Sequence, residues 1–160
     1  MEKYRILSGK RIIIAGENIE IIPKLQNLLP LVMTDIAISS ENFDNLFNKY
    51  HYDSIIIDYC ESVDSKIINR VKEKHTPVIM LVGPKFSKEI FKTIFYKNNF
   101  YYLSRNKLEK LQDILVDILQ ESGYKCHYLN WYKRLCRISN CYELQIINEN
   151  PEFWGSLFKY

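Results

Sequence analysis

Residues 52–59 read YDSIIIDY, three isoleucines held between Asp53 and Asp58. A strand with one wet face alternates apolar and polar residues, whereas a strand covered on both faces is apolar throughout. The run is also too short for a helix of ordinary length, and its isoleucines are β-branched, which favours extended backbone. The same signature recurs on either side, as RIIIAG at 11–16 and VIMLVG at 78–83. Two further runs, LVMTDIAIS at 31–39 and FYYLS at 100–104, are more mixed. The expected arrangement puts 11–15, 55–58 and 78–82 side by side as central parallel strands, with 31–38 and 100–104 toward the edges.

Between these runs lie segments of helical period. Leu25, Leu28 and Leu29 form one stripe, and Phe43, Leu46 and Phe47 a second. Ile67, Ile68 and Val71 form a third; Ile90, Phe91, Ile94 and Phe95 a fourth. The fifth is the longest, with Leu108, Leu111, Ile114, Leu115, Ile118 and Leu119 recurring every three or four residues. Asn106 with Glu109 suits its N-terminal cap, and Gly123 its C-terminal stop. Pro23 sits too deep for a helix opening right after Asn18, so the first helix is expected to begin later or to bend. Strand and helix thus alternate five times from Arg11 to about Ser122. Parallel strands need helical crossovers, so the order predicts a three-layer, doubly wound α/β sheet.

The pattern stops near residue 124. Residues 124–160 hold nine aromatics, three of the four cysteines and five Lys or Arg against three Glu. The expected organisation is one domain over 1–123 and an aromatic-rich C-terminal extension over 124–160, too apolar to be left in water, that packs on the domain or on a partner. Across the 160 residues, 47% hydrophobic and 26% charged is a globular balance that excludes a disordered chain. A net charge of +3 spread along the sequence does not mark a nucleic-acid binder. MEKYRILSGK has no signal-peptide core, and no apolar run reaches membrane-spanning length. Free thiols at Cys60, Cys126, Cys136 and Cys141 fit the cytoplasmic address expected by default.

In open parallel sheets, functional groups gather at the carboxyl ends of the strands. Those ends carry Gly16-Glu17-Asn18, Asp58, Val82-Gly83 and Ser104-Arg105-Asn106. Two carboxylates, Glu17 and Asp58, and one cation, Arg105, from three strands would converge on one crevice, an anion or metal site. A set of ordinary strand-end surface charges is the alternative. GENIEIIP has a single glycine after the first strand, which excludes a dinucleotide fingerprint. Cys126-His127, Cys136 and Cys141 lack the short paired spacing of a zinc site, and no nucleophilic triad is readable. NWYKRLCRI at 130–138 mixes aromatic and basic residues, but has no helix-turn-helix partner, so nucleic acid is not the expected ligand. Lys85, Lys88 and Lys92, with Arg105 and Lys107, read as a basic face that is either solvated or a docking surface.

YDSIIIDY, PVIMLVG and YYLSRN, in this order and near-correct spacing over roughly residues 10–120, resemble the response-regulator receiver family. The resemblance implies a flavodoxin-like five-stranded parallel sheet, with Asp58 as phosphoacceptor and Asp53 as the strand-opening aspartate. It implies Tyr102 as the switch aromatic and Mg²⁺, held through Glu17 and Asp58, as cofactor if the site is phosphorylated. The departures fall on the chemistry. The family's acidic pair is Gly16-Glu17 here, its hydroxyl residue is Val82, and its lysine is Arg105, which is planar and bulkier. The loop after Asp58 is shorter than usual. The leading expectation is therefore a degenerate receiver, a pseudo-receiver that is no enzyme, needs no cofactor and acts through a protein partner. That partner is a histidine kinase, an output protein or a second copy of the chain. A phosphoryl-accepting receiver using Asp58 remains one alternative. A small enzyme binding an anionic ligand at Glu17, Asp58 and Arg105 is another.

Overall fold

The computed structural model describes residues 2–58, 64–72, 74–83 and 99–121. The 124–160 extension, the four cysteines, the Ile90–Phe95 stripe and its lysines, Gly123 and the loop after Asp58 all lie outside these residues.

Five strands form a single sheet: β1 (Arg11–Ala15), β2 (Met33–Ala37), β3 (Ser54–Asp58), β4 (Val78–Val82) and β5 (Phe100–Ser104). Every pairing is parallel, and the order is β2-β1-β3-β4-β5. The three continuous apolar runs are the central strands and the two mixed runs are the edges, as their composition demands. Strand order reverses at β1 and β3, the switch point of a flavodoxin-like doubly wound sheet.

The period of two along each strand sorts side chains onto two cores. Ile13, Ile55, Ile57, Val78, Met80, Phe100 and Tyr102 face one side, where α2 (Ser40–Lys49) contributes Phe43 and α3 (Asp64–Val71) contributes Ile67, Ile68 and Val71. Ile12, Ile14, Ile56, Ile79, Leu81 and Leu103 face the other, under α1 (Ile21–Leu28) and α4 (Leu111–Glu121). Each such fully buried aliphatic side chain stabilises the fold by roughly 1.5–3 kcal/mol.

The first helix begins at Ile21, which puts Pro23 in the first turn, where a missing N–H leaves no hydrogen bond unmade. Asn18 instead shapes the loop before it, its Oδ1 accepting from the Glu20 N–H at 3.0 Å. The expected Asn106–Glu109 cap is not formed as such. Ser104 Oγ accepts from the Asn106 N–H, residues Arg105–Lys110 wind into a tight 3₁₀ turn, and the α-helix proper starts at Leu111. A lone hydroxyl at the end of β5 thus outcompetes the capping pair read from sequence. One element had no signal in the periodicity. Residues Glu2–Leu7 form a short 3₁₀ helix that buries Leu7, while the Tyr4 hydroxyl donates to Asp113 Oδ1 at 3.0 Å on α4. Gln112 Nε2 donates to the Leu28 carbonyl and ties α4 to the end of α1.

Candidate functional site

Asp58 is the last residue of β3, the central strand, and only 2% exposed. A buried carboxylate needs a compensating charge or donor. Arg105, the first residue past β5, supplies both: its Nε donates to Asp58 Oδ1 at 2.7 Å. The two residues reach each other across β4, which separates their strands in the sheet. Burial pushes the Asp58 carboxyl above its ordinary pKa, and the nearby Arg105 charge and hydrogen bond offset part of that rise.

Two glycines make room for the pair. A Cβ on Gly16 would stand 2.9 Å from the Asp58 Cβ, a separation that real side chains do not tolerate. A Cβ on Gly83 would stand 3.3 Å from Arg105 Nη1. Gly16 is pinned there by its own N–H, which donates to the Ala37 carbonyl at 3.0 Å. The ends of β1 and β4 thus present backbone where a side chain would collide with the pair.

The other residues expected at the site divide into two groups. Glu17 follows Gly16 on the exposed side of the loop. Val82 is 4% exposed and Tyr102 likewise 4%; both belong to the core cluster with Met80. Tyr102 is on an edge strand, yet its ring lies on the covered face. Val82 pairs in register with Ser104, whose hydroxyl accepts from Asn106.

Among the described residues, the groups at the strand ends as they stand do not fit a divalent cation held between strands one and three. Mg²⁺ takes six hard oxygen ligands at about 2.0–2.1 Å. Here Gly16 brings no carboxylate, and Asp58 Oδ1 already accepts from a guanidinium. Among the described residues, no group of three or more His, Cys, Asp or Glu side chains is arranged to hold a metal.

A second polar cluster lies at the opposite end of the sheet, and the sequence reading caught only one of its members. Asp53 Oδ2 accepts from the Arg11 backbone N–H at 2.9 Å, and Oδ1 pairs with Lys10 Nζ at 3.0 Å. The strand-opening aspartate therefore fastens β3 to the start of β1. Beside it, Arg11 Nε donates to Asp35 Oδ2 at 2.7 Å and its guanidinium lies 3.7 Å from the centre of the Tyr50 ring. The Tyr52 hydroxyl donates to the same Asp35 oxygen at 2.9 Å. The Arg11 hydrogen bond holds the Asp35 carboxyl below its ordinary value, while burial pushes the Tyr52 hydroxyl up. Asp35 on an edge strand, two residues beyond Met33, the register partner of Arg11, and therefore on the same face, is the signal that would have found this network.

Parallel order β2-β1-β3-β4-β5 is the flavodoxin-like arrangement, here with an aspartate ending the third strand and a cation following the fifth. The chain has a receiver-like fold. Solved receivers superpose on it accordingly. The signal receiver domain of an HD domain-containing protein from Pseudomonas fluorescens Pf-5 matches with a TM-score of 0.62 at 19% identity, covering 71% of this chain and 89% of that one. The Francisella response regulator 1452 receiver domain matches with a TM-score of 0.60 at 17% identity, covering 71% and 99%. A response regulator receiver domain from Clostridium thermocellum matches with a TM-score of 0.59 at 18% identity, covering 71% and 97%. No family model matches the sequence, and no curated protein matches it. At these identities the likeness is one of fold. The function of the receiver-like domain has to be argued from its own residues.

Proposed function

We propose that this receiver-like domain is a pseudo-receiver, a protein-binding module of two-component-type signalling in which Asp58 is not cycled as a phosphoacceptor. The observation that carries the reading is the closed Asp58–Arg105 ion pair, with the glycine at position 16 where the family has an acid. A nucleophilic carboxylate must reach a phosphoryl group whose negative charge is neutralised by cations. Here the cation seen in contact with Asp58 among the described residues, Arg105, already lies on the carboxylate itself. Val82 has no hydroxyl with which to read a phosphoryl group on its neighbour strand. What such a domain retains is a rigid scaffold able to engage a histidine kinase, an output protein or a second copy. The aromatic-rich residues 124–160 add Tyr, Trp and Arg, the side chains that anchor interfaces. A cytoplasmic address belongs to the same reading; no helix among the described residues is long and apolar enough to cross a membrane.

The phosphoacceptor reading has one observation in its favour, the position of Asp58 at the carboxyl end of the central strand. Intact-mass measurement after incubation with acetyl phosphate and Mg²⁺ separates the two. The pseudo-receiver acquires little or no phosphoryl mass; rapid stoichiometric labelling that Asp58→Asn abolishes would establish a phosphoacceptor and end the proposal.

A further inference from the structure

We infer that Arg105, seated against Gly83, is the resident counter-ion of Asp58 and keeps divalent cations out of the site. The inference rests on the pseudo-receiver reading and deepens it by assigning the exclusion to particular residues. Asp58 is 2% exposed, so its charge has to be met from within the protein. The guanidinium meets it through a charge-assisted hydrogen bond at 2.7 Å to Oδ1. A guanidinium is charged at every accessible pH and cannot withdraw by losing its proton. A divalent cation binding to Asp58 would therefore have to displace Arg105 or sit beside it against direct repulsion.

Gly83 is the positioning residue that makes this geometry available. Its missing side chain leaves room for Arg105 Nη1, which lies 3.3 Å from where a Cβ would be. Alanine there asks for a shift of a few tenths of an ångström. A β-branched side chain projects further and pushes the guanidinium off its seat. Gly16, on the opposite side of Asp58, has no side chain to offer a metal and no space for one.

The experiment uses the full chain and Mn²⁺ as a paramagnetic stand-in for Mg²⁺. Broadening of the backbone amide signals of Ala15–Glu17 and Ile57–Asp58 is followed as Mn²⁺ is added to the wild type, Arg105→Gln and Gly83→Val. The wild type should show no broadening localised to these residues. Both variants should show it at Mn²⁺ concentrations at least about tenfold lower than any effect in the wild type. The two variants reach one end by different routes, removing the charge or displacing it, and dispersed spectra show that each is folded. Localised broadening in the wild type equal to that in the variants would overturn the inference; so would its absence from both variants. Acetyl phosphate labelling is read separately by intact mass, so failure here is distinguishable from failure of the pseudo-receiver reading.

Discussion

Gly16 and Asp58 are packed so closely that a Cβ on the glycine would lie 2.9 Å from the Cβ of the aspartate. The contact joins the ends of two adjacent central strands, where neither backbone is free to retreat. Gly16→Ala should therefore destabilise the domain by about 1–3 kcal/mol, the usual cost of overpacking a closed core. Gly83→Ala presses only on the far end of a flexible side chain and should cost less than about 1 kcal/mol. Urea unfolding midpoints of the two variants, compared at equal slope, check the difference.

Asp58→Asn should stabilise the protein at neutral pH, by on the order of 1 kcal/mol. Burial raises the folded-state pKa of this carboxyl above its unfolded value, so the native state binds its proton more readily than the unfolded chain does. Wild-type stability from this group is greatest below the unfolded pKa and falls as pH rises through the raised folded one. The advantage of the asparagine should accordingly be absent in acid, grow across that window and level off above it. Thermal melts of both proteins as a function of pH give the curve directly.

Arg105→Ala leaves the buried carboxylate without its guanidinium. Breaking a fully buried pair costs about 3–5 kcal/mol, but Arg105 is one-third exposed, so about 1–3 kcal/mol is expected. In an Asp58→Asn background the same substitution should cost little, because no charge is then stranded. The double-mutant cycle should return a coupling energy of roughly 1–2 kcal/mol. Additive effects would mean that the pair contributes nothing as a pair.

The network at the opposite end of the sheet has the reverse pH signature. Arg11 holds the Asp35 pKa below its unfolded value, so the stability it contributes is present above the unfolded pKa and is lost as pH falls through the folded one. With Asp35 a quarter exposed, solvent screening keeps that contribution modest. Asp35→Asn should destabilise by about 0.5–1 kcal/mol at neutral pH and by nothing in acid. Tyr52→Phe, which removes one hydrogen bond to the same oxygen, should cost about 1 kcal/mol. Denaturant titrations at two pH values distinguish the pair.

The layout of the sheet was legible because burial on both faces leaves a direct imprint. Ile12–Ile14, Ile55–Ile57 and Val78–Val82 have no polar side, and they are the three central strands. The leucine and isoleucine stripe of α4 was legible for the same reason. Asp58 and Arg105 were readable as strand-end residues, because strand ends in such folds are where function gathers. Their closure onto one another was not, since it depends on two absent side chains, Gly16 and Gly83, 67 positions apart in the sequence. Nor was the 3₁₀ helix Glu2–Leu7, which has no amphipathic period of its own and is held by Leu7 and by the Tyr4–Asp113 hydrogen bond. The start of α4 was misread because a single serine hydroxyl, Ser104, caps the chain before the longer pattern at Asn106 can.

The Asp58–Arg105 pair is most directly tested by the Arg105 Nε–H resonance in a ¹⁵N–¹H spectrum of the full chain, recorded before and after acetyl phosphate and Mg²⁺ are added. A closed, resident ion pair gives a resonance protected from exchange, moved by Asp58→Asn and unchanged by the phosphodonor. A resonance that shifts on addition of the phosphodonor, together with amide signals at Val82 and Tyr102, would show Asp58 being phosphorylated and read out, and would contradict the account.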